Sequence, residues 1–197
     1  MTTKGERTQA RLLAAAVNAF GATGFRATSV ATIARAAGVS PPAAFTYWPS
    51  KEALFEAAVD ADATAVIAEL LGGIETSTDA NPWLRLVDRL LAVVDRHPLA
   101  LRVLAGHEPD IVDRVMELPA FDQLRGQLAE LITAGQDVGA IRDDLDPKAA
   151  SIGMETITIA LVAWRLQLRA SPSRARQAGI AEVLMAAFRP CGPDQGR

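Results

Sequence analysis

Apolar residues recur every three or four positions along almost the whole 197-residue chain, β-branched runs are few, and Gly and Pro fall at helical intervals. That pattern predicts an all-α fold. Leu13, Ala16, Val17 and Phe20 line one face of a helix expected over 6–22. Val30, Ile33, Ala34 and Ala37 then give a short second helix an apolar face, with Thr32 and Arg35 on its other side. Gly38 stops it where a left-handed residue is wanted. Ser40 and Pro41 restart the chain as a cap and a first helical residue whose missing N–H costs nothing. The third helix is expected over 41–47, because Trp48 precedes Pro49 and is pushed out of the helical region. Ser50 caps the next helix at Lys51. Two short amphipathic helices joined by a glycine turn and followed by a capped third have the layout of a helix-turn-helix, which implies binding to double-stranded DNA.

Beyond the head, a long helix is predicted over 51–71, with Leu54, Phe55, Ala58, Val59, Val66, Ile67 and Leu70 on its buried side and Gly72-Gly73 at its end. Asn81-Pro82 opens a helix over 83–97, and Pro98 a short one to about Gly106. Pro109, Pro119 and Gly135 divide the next stretch into helices near 110–118 and 120–136. Pro147 opens a helix to about Leu168, and Ser173 caps the last, which closes at Arg189-Pro190. The expected plan is a three-helix head over 1–50, a helical body over 51–190 and a disordered tail over 191–197, about nine helices in all.

In the helix over 147–168, Ile152, Ile157, Ile159, Leu161, Val162, Trp164, Leu166 and Leu168 surround nearly the whole circumference. A helix apolar on every side is expected to be buried on every side, and a second copy of the chain is the economical cover. The last helix adds Ile180, Val183, Leu184 and Ala187 at i, i+3, i+4 and i+7. Ile159, Leu166, Ile180, Val183, Leu184 and Ala187 are therefore the expected homodimer interface, a four-helix contact. The alternative is that both helices pack inside one monomer.

Net charge is −3, which by itself argues against a nucleic-acid partner. Its distribution reverses that argument: residues 1–56 carry six Lys/Arg against three Asp/Glu, and residues 57–197 carry fourteen against twenty. A basic head on an acidic body suits a groove-binding domain whose body is turned away from phosphates. Half the residues are hydrophobic, yet the longest strongly apolar run, 156–164, lies between Glu155 and Arg165. That is far short of the roughly 20 residues a spanning helix needs, so no membrane is expected. The uncharged stretch after Arg11 could pass for a secretory signal, but Glu6 stands in its would-be basic region and Asn18 and Gly21 interrupt its core. The single cysteine, Cys191, has no internal partner and fits a reducing cytoplasm.

Enzyme signatures are missing, and no catalytic residue, metal or cofactor is expected. The two histidines, His97 and His107, flank a short helix, and no Cys, His, Asp or Glu group has metal-ligand spacing. Asp143, Asp144 and Asp146 lack the glycine and final glutamate of a calcium loop and read as a solvated turn. An enzyme would need an acid–base pair, for which Glu155 with His107 is the one candidate.

The segment TSVATIARAAGVSPPAAFTYWPSK over 28–51, with Phe20, Gly24 and Phe25 ahead of it, resembles the N-terminal domain of the TetR family of bacterial transcriptional regulators. The Thr-Ser start, the Ala-Gly-Val-Ser turn, an aromatic recognition helix and a Pro-Ser-Lys-Glu-Ala-Leu continuation follow in the family's order. GAIRDDLDPKAA over 139–150 is a weaker echo of the loop before the penultimate helix. The chain departs from the pattern at Pro41, Pro42 and Ala43, where polar residues are usual, and at Ala44 and Phe45, where Leu and Tyr are usual. The resemblance implies a dimeric repressor that binds a palindromic operator and is released by a small effector. Thr28, Ser29 and Lys51 would anchor phosphates. Pro42, Ala43, Thr46 and Tyr47 would face base edges, with Phe45 beside them. With so few donors, thymine methyls and DNA shape would carry specificity. Trp83, Met116, Phe121, Met154 and Trp164, with His107 and Glu155, would line a pocket for a lipophilic or aromatic effector. The alternative function is a small-molecule-binding helical protein with a degenerate DNA-binding head.

Overall fold

The computed structural model describes residues 3–72, 82–168 and 173–190, and holds no strand among them. The helices are α1 (Lys4–Ala27), α2 (Val30–Ala36), α3 (Pro41–Tyr47), α4 (Lys51–Leu71), α5 (Pro82–Val94), α6 (Pro98–Leu104), α7 (Val112–Val115), α8 (Pro119–Asp137), α9 (Pro147–Leu168) and α10 (Arg174–Phe188), with a 3-10 turn at Pro109–Ile111 before α7. The expectations at Gly73, Asn81 and the tail over 191–197 lie outside the described residues.

Three elements differ from the sequence reading. α1 starts earlier, because Thr3 and Glu6 form a reciprocal capping box, and it runs on past residue 22 by bending at Gly24. α5 ends at Val94 because His97, which precedes Pro98, takes φ −115° and ψ 84° outside the helical region. The helix expected over 110–118 is a 3-10 turn followed by the single-turn α7.

The chain divides into two compact units, Met1–Gly73 with Ala92–Phe121, and Ile74–Leu91 with Asp122–Arg197. The unit holding the head thus runs past residue 50. Within it α1 packs on α2, α4 and α6, α4 packs on α6, and α2 packs on α3. Leu12, Ala16, Phe20, Ile33, Ala34, Leu54, Phe55 and Ala58 are buried there. Phe20 meets Phe55 edge-on at a centroid distance of 4.9 Å, and Phe25 lies 5.0 Å from Phe55. Each fully buried side chain of this size contributes about 1.5–3 kcal/mol.

Two helix starts in this unit are satisfied from a distance. α6 begins at His97, whose side chain makes no capping bond, and the Ala100 N–H instead donates to Asp62 Oδ2 at 2.8 Å. Asp60 Oδ1 likewise accepts the Ala120 N–H at the start of α8, at 3.0 Å. α4 therefore caps two other helices through carboxylates set two residues apart, which fixes where those helices begin.

In the second unit the side of α9 that its own chain covers is largely polar. Its inward positions are Ser151, Glu155, Thr158 and Val162, while Ile152, Ile157 and Leu168 are exposed. Its own chain covers part of the helix circumference and leaves these apolar residues open. The two hydroxyls turn back onto their own helix, Ser151 onto the Lys148 carbonyl and Thr158 onto the Met154 carbonyl, so only Glu155 needs an outside partner. Arg125 supplies it from α8, with its Nη1 3.0 and 2.9 Å from the two carboxylate oxygens. Asp146 caps α9, accepting the Lys148 and Ala149 N–H groups at 2.8 and 3.2 Å. By length and composition α9 could cross a membrane; its midpoint holds the paired Glu155.

Candidate nucleic-acid interface

The turn between α2 and α3 is built from short-range bonds. Ser29 accepts the Thr32 N–H at 3.1 Å, and Val30, Ile33, Ala34 and Ala37 are buried beneath α2. Gly38 takes φ 68°, the left-handed conformation that reverses the chain, and the Val39 N–H returns to the Ala34 carbonyl at 3.0 Å. Ser40 then accepts the Ala43 N–H at 3.4 Å, and Ser50 the Ala53 N–H at 3.0 Å. Trp48, at φ −133° and ψ 117°, ends α3.

α3 buries one residue, Ala44. At 100° per residue, Pro42 and Thr46 stand roughly opposite it, flanked by Ala43 on one side and Phe45 on the other. Pro41, Pro42, Phe45 and Thr46 are exposed, Phe45 to 46%. Thr46 is the sole hydroxyl among the exposed residues of α3, and it donates to the Pro42 carbonyl at 3.4 Å. Tyr47 is half-buried beside Trp48, with ring centroids 6.1 Å apart. A Cβ on Gly5 would stand 3.9 Å from the Tyr47 hydroxyl, so the start of α1 lies beside the end of α3. That brings exposed Lys4, Arg7 and Arg11 of α1, with exposed Arg35 of α2, onto the head's surface.

The other expected DNA contacts are placed unequally. Ser29 is exposed at the head of α2. Lys51 is half-buried, its Nζ 4.4 Å from the centre of the Phe25 ring, a cation–π contact that holds the ammonium at the start of α4. Thr28 is buried, and its hydroxyl donates to the Gly24 carbonyl at 2.7 Å and meets the Thr23 hydroxyl at 2.7 Å. Its side chain therefore braces the α1–α2 corner and does not reach the surface.

Behind this corner sits a bend that the sequence reading missed. Gly24 interrupts α1 at φ 82° and ψ 171°, and the freed Phe25 N–H donates to Glu108 Oε1 at 3.2 Å. The same oxygen accepts from Arg102 Nε of α6 at 2.8 Å, and Arg26 pairs with Asp110 at 3.2 Å. Deeper in the unit, His97 Nδ1 lies 2.9 Å from Asp62 Oδ1 and Nε2 lies 3.2 Å from Glu69 Oε2, with Arg96 paired to Glu69. Burial opposes protonation of His97, but the hydrogen bonds to Asp62 and Glu69 outweigh it and hold the imidazole above its ordinary value.

The residues expected to line an effector pocket are divided between the units. Phe121 is buried, Met116 half-buried and His107 exposed in the first; Glu155 is buried, and Met154 and Trp164 half-buried, in the second. The side chain of Trp83 lies outside the described residues. Glu155 pairs with Arg125 of its own unit rather than with His107. Burial, the larger influence, pushes the Glu155 carboxyl up, and Arg125 opposes it without cancelling it. Of the expected interface residues, Val183 is 71% exposed and Ala187 is exposed. Ile159, Leu166 and Ile180 are half-buried, and Leu184 is buried in its own chain at 8%.

An all-α chain with a capped glycine turn and an outward-facing third helix is a helix-turn-helix DNA-binding protein of the transcription-regulating class. The chain is TetR-like: residues 12–58 match the family model of the bacterial regulatory proteins, tetR family. Nucleoid occlusion factor SlmA from Vibrio vulnificus (strain YJ016) is 27% identical over 110 residues, covering 53% of this chain; the chain spans about half of that relative, 55% of its length. The TetR-family transcriptional regulator from Cytophaga hutchinsonii has the same fold at a TM-score of 0.66 and 18% identity, over 96% of this chain and 98% of that one. The fatty acid degradation regulator FadR from Bacillus halodurans superimposes at 0.62 and 18% identity over the whole of both chains. At such identities the likeness is one of fold.

Proposed function

We propose that the chain is a cytoplasmic, dimeric repressor whose residues 1–50 bind a palindromic operator and whose body holds a small apolar or aromatic effector that releases the DNA. The observation that carries this reading is the outward ridge of α3, standing free on a head rich in exposed arginine and lysine. Ser29 and Lys51 would hold phosphates, which positions the helix, while Pro42, Ala43, Thr46 and Tyr47 would face bases. A two-fold assembly is supported by Ile152, Ile157 and Leu168 of α9 and Val183 of α10, large apolar side chains left uncovered by their own chain.

Release of DNA requires that the effector bind the DNA-competent and incompetent arrangements with different affinities. Tenfold release needs about 1.4 kcal/mol of such coupling.

The test is selection of bound duplexes from random DNA, with sedimentation of the protein alone and with the recovered site. A two-fold symmetric site with half-sites about one helical turn apart, bound by a dimer, is expected. An asymmetric site bound by a monomer would overturn the dimeric reading, and failure to enrich any duplex would overturn DNA binding itself.

A further inference from the structure

Resting on that reading of α3 as the helix that enters the major groove, we infer that this head reads the C5-methyl groups of pyrimidines, so that thymines, or 5-methylcytosines in their place, define its half-site. The seven residues of α3, Pro41–Tyr47, include no Arg, Lys, Asn, Gln, Asp or Glu. Bidentate recognition of guanine or adenine needs one of the first four, and acceptance from the cytosine amine needs one of the last two. None of that chemistry is available on the helix.

What α3 offers instead is a compact apolar relief. Pro42 and Thr46 form its crest, Ala43 and Phe45 its flanks, and the one hydroxyl on the crest is already directed at the Pro42 carbonyl. Phe45 is the exposed aromatic ring of the head, set on a helix whose buried residue is an alanine. Pro41, Pro42 and Phe45 are exposed together, and a contiguous exposed apolar patch marks a contact made with a partner. In the major groove the apolar feature of the base edges is the pyrimidine C5-methyl, carried by thymine and, after modification, by cytosine. A surface of prolines, alanine methyl and a phenyl ring gains by covering such methyls and gains nothing from a bare C5–H edge. The short side chains also let the α3 backbone approach the base edges closely, which a relief of methyl-sized features requires.

Adjacent phosphates would be held by groups off the helix, so overall affinity and methyl discrimination are separable. The basic residues Lys4, Arg7 and Arg11 of α1 and Lys51 of α4 carry no base information, and their contribution would persist on any duplex.

The experiment uses the full chain and the duplex recovered by selection, with each thymine replaced in turn by uracil, which removes the methyl and keeps the base pair. Fluorescence anisotropy is expected to show at least two thymines per half-site where uracil weakens binding about fourfold each, the worth of one buried methyl-sized group. At those positions 5-methylcytosine paired with guanine should bind more tightly than cytosine. In Phe45→Ala or Thr46→Ser proteins at least one uracil penalty should fall close to unity, because the methyl then has lost its cover. A fully uracil-substituted duplex bound as tightly as the parent would overturn methyl reading and leave DNA binding standing. Uracil penalties unchanged in both variants would overturn the assignment to this face of α3. A protein that binds no duplex overturns both this inference and the reading it rests on. The DNA-side substitutions need no protein variant to fold.

Discussion

Gly24→Ala should cost the protein about 3 kcal/mol, although it adds one methyl group near a helix end. Two independent contributions make up that figure. At φ 82° and ψ 171° the residue occupies a region that side-chain-bearing residues reach only with about 1–3 kcal/mol of strain. A Cβ there would stand 2.5 Å from Arg102 Nη2 and 2.6 Å from Glu108 Oε1, closer than real atoms approach. Those two side chains must move, and the charge-assisted bond from the Phe25 N–H to Glu108, worth about 1.5–3 kcal/mol, loosens with them. Against a typical domain stability of about 5–15 kcal/mol the loss is large. Urea unfolding followed by far-ultraviolet circular dichroism measures it, with Gly126→Ala as the control. Gly126 lies in α8 with no atom within 4 Å of an added methyl, so the same substitution there should stabilise by about 0.5–1 kcal/mol. The two changes are chemically identical and should have opposite signs. Equal midpoints for the two variants would refute the bend as a conformationally required feature.

His97 is held above its ordinary value, so folding tightens its proton. That contribution to stability is present in full below about pH 6.5 and is lost as pH rises through the raised folded value. His97→Gln should therefore destabilise more at pH 6 than at pH 8.5 in urea titrations; equal losses would refute it. Arg125→Met strands the buried Glu155, 3% exposed, and should cost about 3–5 kcal/mol near neutrality, most of it recovered in the double variant Arg125→Met/Glu155→Met. Because burial already pushes Glu155 up, the single variant's loss should shrink toward pH 5 as the carboxyl takes a proton; a loss independent of pH would refute that account. Val183→Glu should dissociate the proposed dimer in sedimentation and remove the concentration dependence of the melting temperature, whereas Leu184→Glu, buried in its own chain, should lower the melting temperature at every concentration; the opposite pairing would refute the placement of the interface.

The head was legible because its signals are local. Ser29, Gly38, Ser40 and Ser50 each act within four residues of themselves, and the apolar face of α2 is set by a period of three and four. The same holds for α4 and α9, whose limits at Lys51–Leu71 and Pro147–Leu168 follow from a cap or proline at one end. The bend at Gly24 went unread for the complementary reason. The apolar face ends at Phe20, and the Phe25 N–H that the bend frees is taken up by a carboxylate 83 residues away. Asp62 was hidden likewise: it stands in the apolar stripe Ala58, Asp62, Val66 of α4, where only its partners His97 and Ala100 explain it. In α9 composition was read as burial. Eight large apolar residues around the helix hid which side its own chain would cover: hydroxyls that bond their own helix and a carboxylate met by Arg125 can turn inward at little cost, leaving Ile152 and Ile157 outside.

Those remote carboxylates also bear on how binding could be regulated. In the unit that contains the head, α1 packs along α6, with Gly21 against Pro98 and Leu99, and near its end Glu108 Oε1 accepts from both Phe25 and Arg102. The start of α6 is in turn fixed by Asp62 of α4, the helix whose first residue, Lys51, leans on the Phe25 ring. Phe25 thus touches two neighbours of α1: its N–H bonds the carboxylate that Arg102 of α6 holds, and its ring meets Lys51 and Phe55 of α4. A charge-assisted bond such as that at Glu108 is worth about 1.5–3 kcal/mol, which exceeds the roughly 1.4 kcal/mol that tenfold release of DNA demands. A change in that single bond therefore matches in magnitude the coupling that the proposed release of DNA demands. No larger rearrangement of the head's core, in which Leu12, Ala16, Phe20 and Ile33 are fully buried, is required by the energetics.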